Sequence, residues 1–467
     1  MLIYGFACDR KTNVTMYNEN MKRNNWLFLL FFLANGFAAV AQNGINSPFS
    51  QYGIGFSNLP YNVPAVSALG GVAYTNAASN MVNPFNPASY AAVKQESFVF
   101  DMGFCLEMAT LRDNQQSVFD ADGNIGYLTV AFPLTRWWKT ALGVMPLSDV
   151  NYYTVNVSPI TPGGEVKTMF EGVGGVSQFF WGNGFNILGG DDNSKPQLRA
   201  GFNLNLLYGS DTSAVTFDFT ANDTTYFMNS RRQRDLAIRG LTIDLGLQYE
   251  QPLADNYRFA AGLNVKPGRK MTIKENALVY TFVTNAAIEY MRDTIFPTDG
   301  NSEIESTLQQ PFTTGIGLSF QRDNLWRVAF DATLAPWSGL KYVSGLQTPV
   351  FGTSSLRYSN NQRYALGLQL LGNPNATSYL RRITISTGVH YESGRLSLQL
   401  ADNRDFRLDE WGVGLGFSLP MRKGRSVLNI SAAYSSFGTI DLLRRDVFTI
   451  GISVGSCESW FVKRKFN

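Results

Sequence analysis

The chain has little of what enzymes and metal centres are built from. Its 467 residues include one histidine and three cysteines. That leaves no material for a His-rich zinc site, a His-based triad cluster or a disulfide scaffold, and no metal or cofactor is expected. Charged residues make up 16% of the chain, against about 25% in an ordinary soluble domain. The net charge of +3 gives no basic footprint for nucleic acid. Past the N-terminus there is no run of about 18 apolar residues, which excludes a helical membrane protein. Glycine, with 43 residues, and aromatics, at 13%, are plentiful instead.

The N-terminus reads as an address. Met21-Lys22-Arg23-Asn24-Asn25 is a short basic region, Trp26 to Ala34 an apolar core, and Ala39-Val40-Ala41 a small-x-small cleavage site. Those are the three parts of a secretory signal peptide, expected over 21–41. Residues 1–20 are then an upstream extension from a misassigned start. The apolar core is too short to span a bilayer.

The rest of the chain alternates with period two, the mark of strands with two different faces. Trp411, Val413, Leu415, Phe417 and Leu419 alternate with Gly412, Gly414, Gly416 and Ser418. Similar stretches begin at Leu198, Leu241, Trp326, Ile383 and Phe448. A soluble β-sandwich also alternates, but its strands usually run about five or six residues, and these are longer. One face is apolar with an aromatic at one end. The other carries Gly, Ser, Thr and scattered charges rather than a solvated Lys/Glu surface. A transmembrane β-barrel, with a lipid-facing band, aromatic girdles and a polar interior, produces that combination.

Connection lengths alternate too. Short ones fall at 134–139, 189–196, 253–257, 322–324, 372–379 and 421–425. Longer polar ones cover 111–122, 155–164, 211–236, 269–309, 338–360, 394–407 and 438–446. Such barrels have short periplasmic turns and long outer loops. The pattern predicts an all-β chain of fourteen antiparallel strands near 96–110, 123–133, 139–154, 165–182, 197–210, 237–251, 257–268, 310–321, 325–337, 361–371, 381–393, 408–420, 426–437 and 447–456. Both ends of the barrel, which occupies 96–467 with a short C-terminal tail, are then periplasmic. Within 269–309, KMTIKENALVYTFV suggests an extra hairpin outside the membrane. Residues 42–95 show no strand alternation, yet they are too aromatic and too uncharged for a disordered tail. An ordered N-terminal plug inside the lumen is expected, because a barrel this wide is water-filled unless something occupies it.

Other groups have plainer readings. Lone His390 is a hydrogen-bonded lumen residue. Arg199, Asp244, Arg327 and Asp331 are lumen charges paired with each other or with the plug, since lipid-facing charges at the midplane cost about 2–4 kcal/mol. Trp137-Trp138 suits the inner interfacial belt. Cys105 and Cys457 lie on neighbouring strands at different heights, and whether they pair stays open. GVGGVSQ (172–178) and GVGLG (412–416) lack the helix and Lys of a phosphate loop. Lys463-Arg464-Lys465 is a basic tail with no role beyond solvation. Pro146 removes a ladder donor, so the third strand cannot run regularly through it; a kink in the wall and simple proximity to the rim are the two readings of it.

Two short stretches carry a family resemblance. A small-residue run leads into Asn86-Pro87-Ala88 just before the first strand, and Ala141-Leu142-Gly143-Val144-Met145-Pro146-Leu147 leads to Asn151-Tyr152. With the fourteen-strand pattern, the chain resembles the FadL-type outer-membrane transporters of long-chain fatty acids and other hydrophobic molecules. The resemblance implies a Gram-negative outer-membrane location and no enzymatic activity. It implies an N-terminal hatch with Asn86, Pro87 and Ala88 inside the barrel, and a lateral gate at Gly143, Pro146 and Asn151. Passive uptake would follow, with capture by outer loops and sideways exit into the outer leaflet, in contact with lipid and lipopolysaccharide. Val279, Tyr280 and Phe282, with Ala277 and Val283, are apolar for an outer loop. They are read either as the capture surface or as packing against a neighbouring loop. Some FadL-like barrels, as in the type IX apparatus, are instead docking subunits of secretion assemblies. A protein partner bound through the outer loops is therefore the alternative to fatty-acid uptake. A general porin is disfavoured by the plug-sized N-terminal segment.

Overall fold

Long alternating segments pair edge to edge until the sheet closes on itself. The computed structural model describes residues 45–51, 61–160, 164–190, 194–220, 227–285, 288–295, 303–339, 341–343, 356–394, 396–399, 405–421 and 426–459. The signal at 21–41, the extension at 1–20, most of the 421–425 turn and the Lys463-Arg464-Lys465 tail lie outside the described residues.

Strands β1 (Ser97–Arg112), β2 (Ser117–Pro133), β3 (Trp138–Pro159), β4 (Glu165–Leu188), β5 (Gln197–Thr220), β6 (Asn229–Pro252) and β7 (Tyr257–Lys266) follow one another round the wall. β8 (Lys270–Asn285), β9 (Ile288–Ile295) and β10 (Ile304–Gln309) leave the ring, which resumes with β11 (Thr313–Arg322) and β12 (Trp326–Ala335). β13 (Lys341–Val343) and β14 (Leu356–Tyr358) precede the wall strands β15 (Asn361–Leu370) and β16 (Thr384–Glu392). After β17 (Leu396–Gln399) and β18 (Asp405–Arg407), the wall ends with β19 (Glu410–Met421), β20 (Ser426–Thr439) and β21 (Leu443–Ser459). β21 pairs with β1 from Ser97 opposite Ser459 to Arg112 opposite Arg444. The result is a closed antiparallel barrel of fourteen strands, as the alternation predicted.

Its wall is lopsided. β3 has 22 residues and β4, β5 and β6 have 24 each, whereas β7, β11, β12 and β15 have 10. At the long-loop end β6 exchanges β7 for β8, pairing Asn229–Ile238 with β8 and Leu245–Pro252 with β7. The expected extra hairpin is β8 with β9, and β10 and β13 extend the same sheet. Part of 155–164 and 211–236, read from sequence as loops, is therefore strand. Above the lipid band both faces of a strand meet water, so polar residues fill both and the hydropathy alternation fades while the backbone pairing continues.

The two faces separate as expected. On β19, Trp411, Val413, Leu415 and Phe417 are exposed outward, while Gly412, Gly414 and Gly416 are buried inside. Trp137 is exposed at the short-turn end and stacks on Trp138 and Phe185. Cys105 stands opposite Gly451 and Cys457 opposite Val99, six positions apart along the same pair of strands, and both are free thiols.

Candidate functional site

Residues 61–93 lie against the inner face of the wall. Their apolar side chains, including Val63, Val66, Ala73, Val82, Tyr90 and Val93, form one buried cluster with Val99, Tyr127, Ala131, Ala141, Met145 and Phe180 of β1 to β4. Asn86 caps the short 3-10 turn Pro87–Ala92, its Oδ1 accepting from the N–H of Ala88 at 3.2 Å. Pro87 suits the first helical position, where an N–H would have no partner. The Asn86 carboxamide then donates to the carbonyl of Tyr74 at 2.8 Å and, at 3.4 Å, to Leu247 and Leu263 of β6 and β7. Asn86 and Ala88 are fully buried.

This segment is keyed to the wall at many places opened by a glycine on the inner face, three of which show the pattern. A Cβ at Gly246 of β6 would collide with Asn86 and Pro87, one at Gly262 of β7 with the Tyr74 carbonyl, and one at Gly388 of β16 with Leu69. Ionic groups reinforce the fit. Asp331 of β12 accepts from the backbone N–H groups of Ala73, at 2.6 Å, and Tyr74, at 2.9 Å. Arg327 donates to Thr75 Oγ1 at 2.9 Å, and Arg363 donates to the Gly70 carbonyl at 2.8 Å. Arg199 pairs with Glu250 at 3.1 Å and Asp244 with Lys266 at 3.5 Å. All four lumen charges named from sequence thus face inward, two bound to the wall and two to the segment. His390 also faces inward, 3.5 Å from Glu410 and with its ring 4.8 Å from that of Tyr61.

Between this segment and the short-turn end lies a cavity of about 680 Å³, with Arg199, Arg258, Arg327, Arg382, Glu250 and Gln369 in its lining. It is a vestibule in which these polar groups share the lining with apolar residues such as Ala68, Met81, Val93 and Leu371. The outer lumen is different. Val176, Leu207, Leu236, Ile238, Met271, Ile273 and Leu308 form a buried apolar cluster on the inner faces of β4, β5, β6, β8 and β10, and Leu147 of β3 packs against it.

Leu147 is where the wall is interrupted. The β3–β4 register shifts between Pro146 and Ser148, leaving Leu147 as an extra residue. On the other side, β2 and β3 pair only from Pro133 opposite Lys139 up to Leu128 opposite Val144. Above that level β2 continues on β1 and β3 on β4, and the two strands make no register pair with each other among the described residues. Gly143 lies just below the interruption, against the Phe180 ring, and Asn151 above it. The structure thus brings Gly143, Pro146 and Asn151 to one seam, and Asn86, Pro87 and Ala88 to one turn packed against the neighbouring strands β4, β5 and β6.

The capture surface does not form as an exposed patch. Val279, Tyr280 and Phe282 lie in β8, paired with Arg232, Arg231 and Asn229 of β6, and Tyr280 and Phe282 are buried, as is Ala277. Packing on a neighbouring strand is the arrangement seen. Sequence reasoning missed the apolar outer-lumen cluster, because its members are scattered over five strands. It placed Asp331 in the lumen against the plug without naming its partners, which are backbone N–H groups and carry no sequence signal.

A family model, BamG, matches residues 21–467. No curated protein matches the chain. Among solved structures, the CymD monoaromatic hydrocarbon channel is 16% identical with a TM-score of 0.50, covering 84% of this chain and 96% of its own. The toluene transporter TodX of Pseudomonas putida is 15% identical with a TM-score of 0.50, covering 85% and 97%. A FadL homologue of Pseudomonas aeruginosa is 12% identical with a TM-score of 0.48, covering 90% and 100%.

Proposed function

Since the chain belongs to the BamG family and has the fold of the FadL-type outer-membrane transporters, a fold that implies an outer-membrane location, we propose that it passes small hydrophobic molecules, long-chain fatty acids among them, without an energy source. The observation that carries this reading is the apolar outer-lumen cluster ending on Leu147, the residue extruded at the wall interruption. Apolar solutes gain nothing from a water-filled channel, whereas a lining of buried Leu, Ile, Val and Met offers them about 25 cal/mol per Å² of apolar surface removed from water.

In this reading residues 42–95, following a cleaved 21–41 signal, act as the hatch, with Asn86-Pro87-Ala88 as its fixed corner. Gly143, Pro146 and Asn151 frame the lateral exit. The hatch blocks the axial route, so a solute that reaches Leu147 leaves sideways between β2 and β3 and enters the outer leaflet. Tyr280 and Phe282 act from inside the outer sheet rather than as an exposed trap.

The vestibule favours a second reading. Four arginines at the short-turn end suit the docking of a periplasmic protein better than the passage of a hydrocarbon, and such a subunit needs no solute. Native mass spectrometry and lipid extraction of the protein from its own outer membrane separate the two. A stoichiometric fatty acid or hydrocarbon, lost on Pro146→Val, supports uptake. A stable protein partner with no small ligand overturns it.

A further inference from the structure

The vestibule at the short-turn end carries more positive charge than its own carboxylates neutralise. Five cations line it, Lys94, Arg199, Arg258, Arg327 and Arg382, against one carboxylate, Glu250. Glu250 bridges Arg199, at 3.1 Å, and Arg258, at 2.8 Å, and Asp323 takes the other side of Arg258 at 2.9 Å. Arg327 has only neutral hydrogen-bond partners. It donates to Thr75 Oγ1, to Gln369 Oε1 at 3.1 Å and to Asn76 Oδ1 at 3.5 Å, and it is 6% exposed. Asp331, the other inward charge of β12, is committed to the Ala73 and Tyr74 N–H groups. Arg382 stacks on the Tyr379 ring at 5.3 Å and pairs with no carboxylate among the described residues. The buried Nε atoms of Arg199 and Arg382 have no hydrogen-bond partner.

The arginines are regularly spaced. Round the wall the strand order here is β5, β6, β7, β11, β12, β15, β16. Arg199 is on β5, Arg258 on β7 and Arg327 on β12, and Arg382 ends the turn Leu380–Arg382 before β16, each at the short-turn end. An arginine thus falls on every second strand, about 10 Å from the next at the usual strand spacing. Gln248, Gln321 and Gln369 stand on the strands between. The facing arc of β19 and β20 lends Ser418, Asn429 and Ile430 to the lining and no charge.

We propose that this row of arginines binds an extended acidic peptide segment of a periplasmic protein. The proposal names the partner chemistry of the docking reading above and rests on that reading. A guanidinium kept from water without a counter-ion is costly, and a carboxylate accepting two of its N–H groups offsets that cost. Three residues of extended chain span about 10 Å, so a carboxylate on every third residue meets successive arginines. A cavity of about 680 Å³ admits a chain segment and not a folded domain. Leu128, Val144, Pro146 and Asn151 are outside its lining, so an occupied vestibule leaves the seam as it is.

The test follows the fluorescence anisotropy of a labelled peptide of about twelve residues that repeats Glu-Ser-Ser, titrated with full-length protein in detergent micelles. A Gln-Ser-Ser peptide and citrate are the comparisons. The glutamate peptide is expected to bind at least about tenfold tighter than the glutamine peptide, and to weaken severalfold when salt is raised to about 0.5 M. Arg382→Gln and Arg327→Gln should each weaken it at least about tenfold. Arg381→Gln, at an exposed position outside the lining, should change it less than about twofold. Arg382 lies in a turn rather than a wall strand, so its variant carries the test should Arg327→Gln not fold. Equal affinity for the two peptides, or undiminished binding by Arg382→Gln protein, overturns the proposal. Citrate that binds as tightly as the glutamate peptide makes the vestibule a small-anion site and also overturns it. Native mass spectrometry of protein from its own outer membrane judges the docking reading separately, and a protein partner is expected to be lost from the Arg327→Gln, Arg382→Gln double variant. A partner retained in full by that variant overturns the acidic-peptide site and leaves docking standing. No peptide binding and no partner overturns both.

Discussion

Two stretches of the N-terminal region sit in the same barrel and are held by different physics. Residues 61–93 are locked by shape and buried charge. Wall glycines leave room for their backbone, Asp331 grips two N–H groups, and a shared apolar cluster fills the space between. Residues 45–51 are held by one main-chain bond and several side-chain hydrogen bonds to β3, one bond to Asp120 of β2, and two apolar side chains. The first kind of contact fails only when volume or charge is changed. The second exchanges with other backbone at little cost. In the uptake reading proposed above, residues 61–93 are the fixed part of the N-terminal region and 45–51 the more weakly held part.

The largest effect that would break this contrast comes from filling a socket. Gly246→Val pushes a branched side chain into Asn86 and Pro87, and overpacking of this kind should cost about 3 kcal/mol. Urea unfolding in lipid vesicles measures it, and protease nicking within 61–93 should appear in the same variant. Next is Asp331→Ala, which strands the buried N–H groups of Ala73 and Tyr74. A loss of about 2 kcal/mol is expected, visible as a lower unfolding midpoint with an unchanged slope. Pro146→Val should change stability by less than about 1 kcal/mol, because it acts on a single edge position. Its signature is local: the β2–β3 ladder gains its next pair above Leu128 and Val144, amide exchange at Gly126 slows, and solute uptake falls. The smallest effect is expected of Ser50→Ala, which removes the hydrogen bond from the Asn151 N–H, worth about 0.5–1 kcal/mol. It should speed exchange of the Asn151 amide while leaving global unfolding where it was. A Ser50→Ala effect on global stability equal to that of Asp331→Ala would erase the distinction between residues 45–51 and 61–93.

The sequence made the wall legible and the seam only partly so. Lipid on one side and a polar interior on the other force alternation, and alternation locates β7, β11, β12, β15 and β19 closely. The outer parts of β3, β5 and β6 were hidden, since alternation lapses where Ser210 to Ser213 and Asn229 to Arg234 are polar on both faces. Pro146 marked the interruption, because proline cannot donate to a ladder. Nothing in the sequence marked its partner. Asn46, Ser47 and Ser50 are common polar residues, and their role depends on an edge that exists only once β2 and β3 diverge. The inward glycines at 246, 262 and 388 were read as a generic small, polar lining. They are closer to a mould, each shaped to one residue of the inner segment.

The unequal strand lengths carry a consequence of their own. A barrel of uniform height looks the same to its neighbours from every direction in the membrane plane. Here β3 to β6 run unbroken past the level at which β7, β11 and β12 give way to β8, β10 and β13. The seam lies at the border of that parapet, where β2 gives way to β3. Four long unbroken strands stand on one side of the seam, and the shorter β2 and β1 on the other. The molecule thus has a front and a back, and in the uptake reading proposed above a solute crossing the seam meets one fixed flank of the barrel.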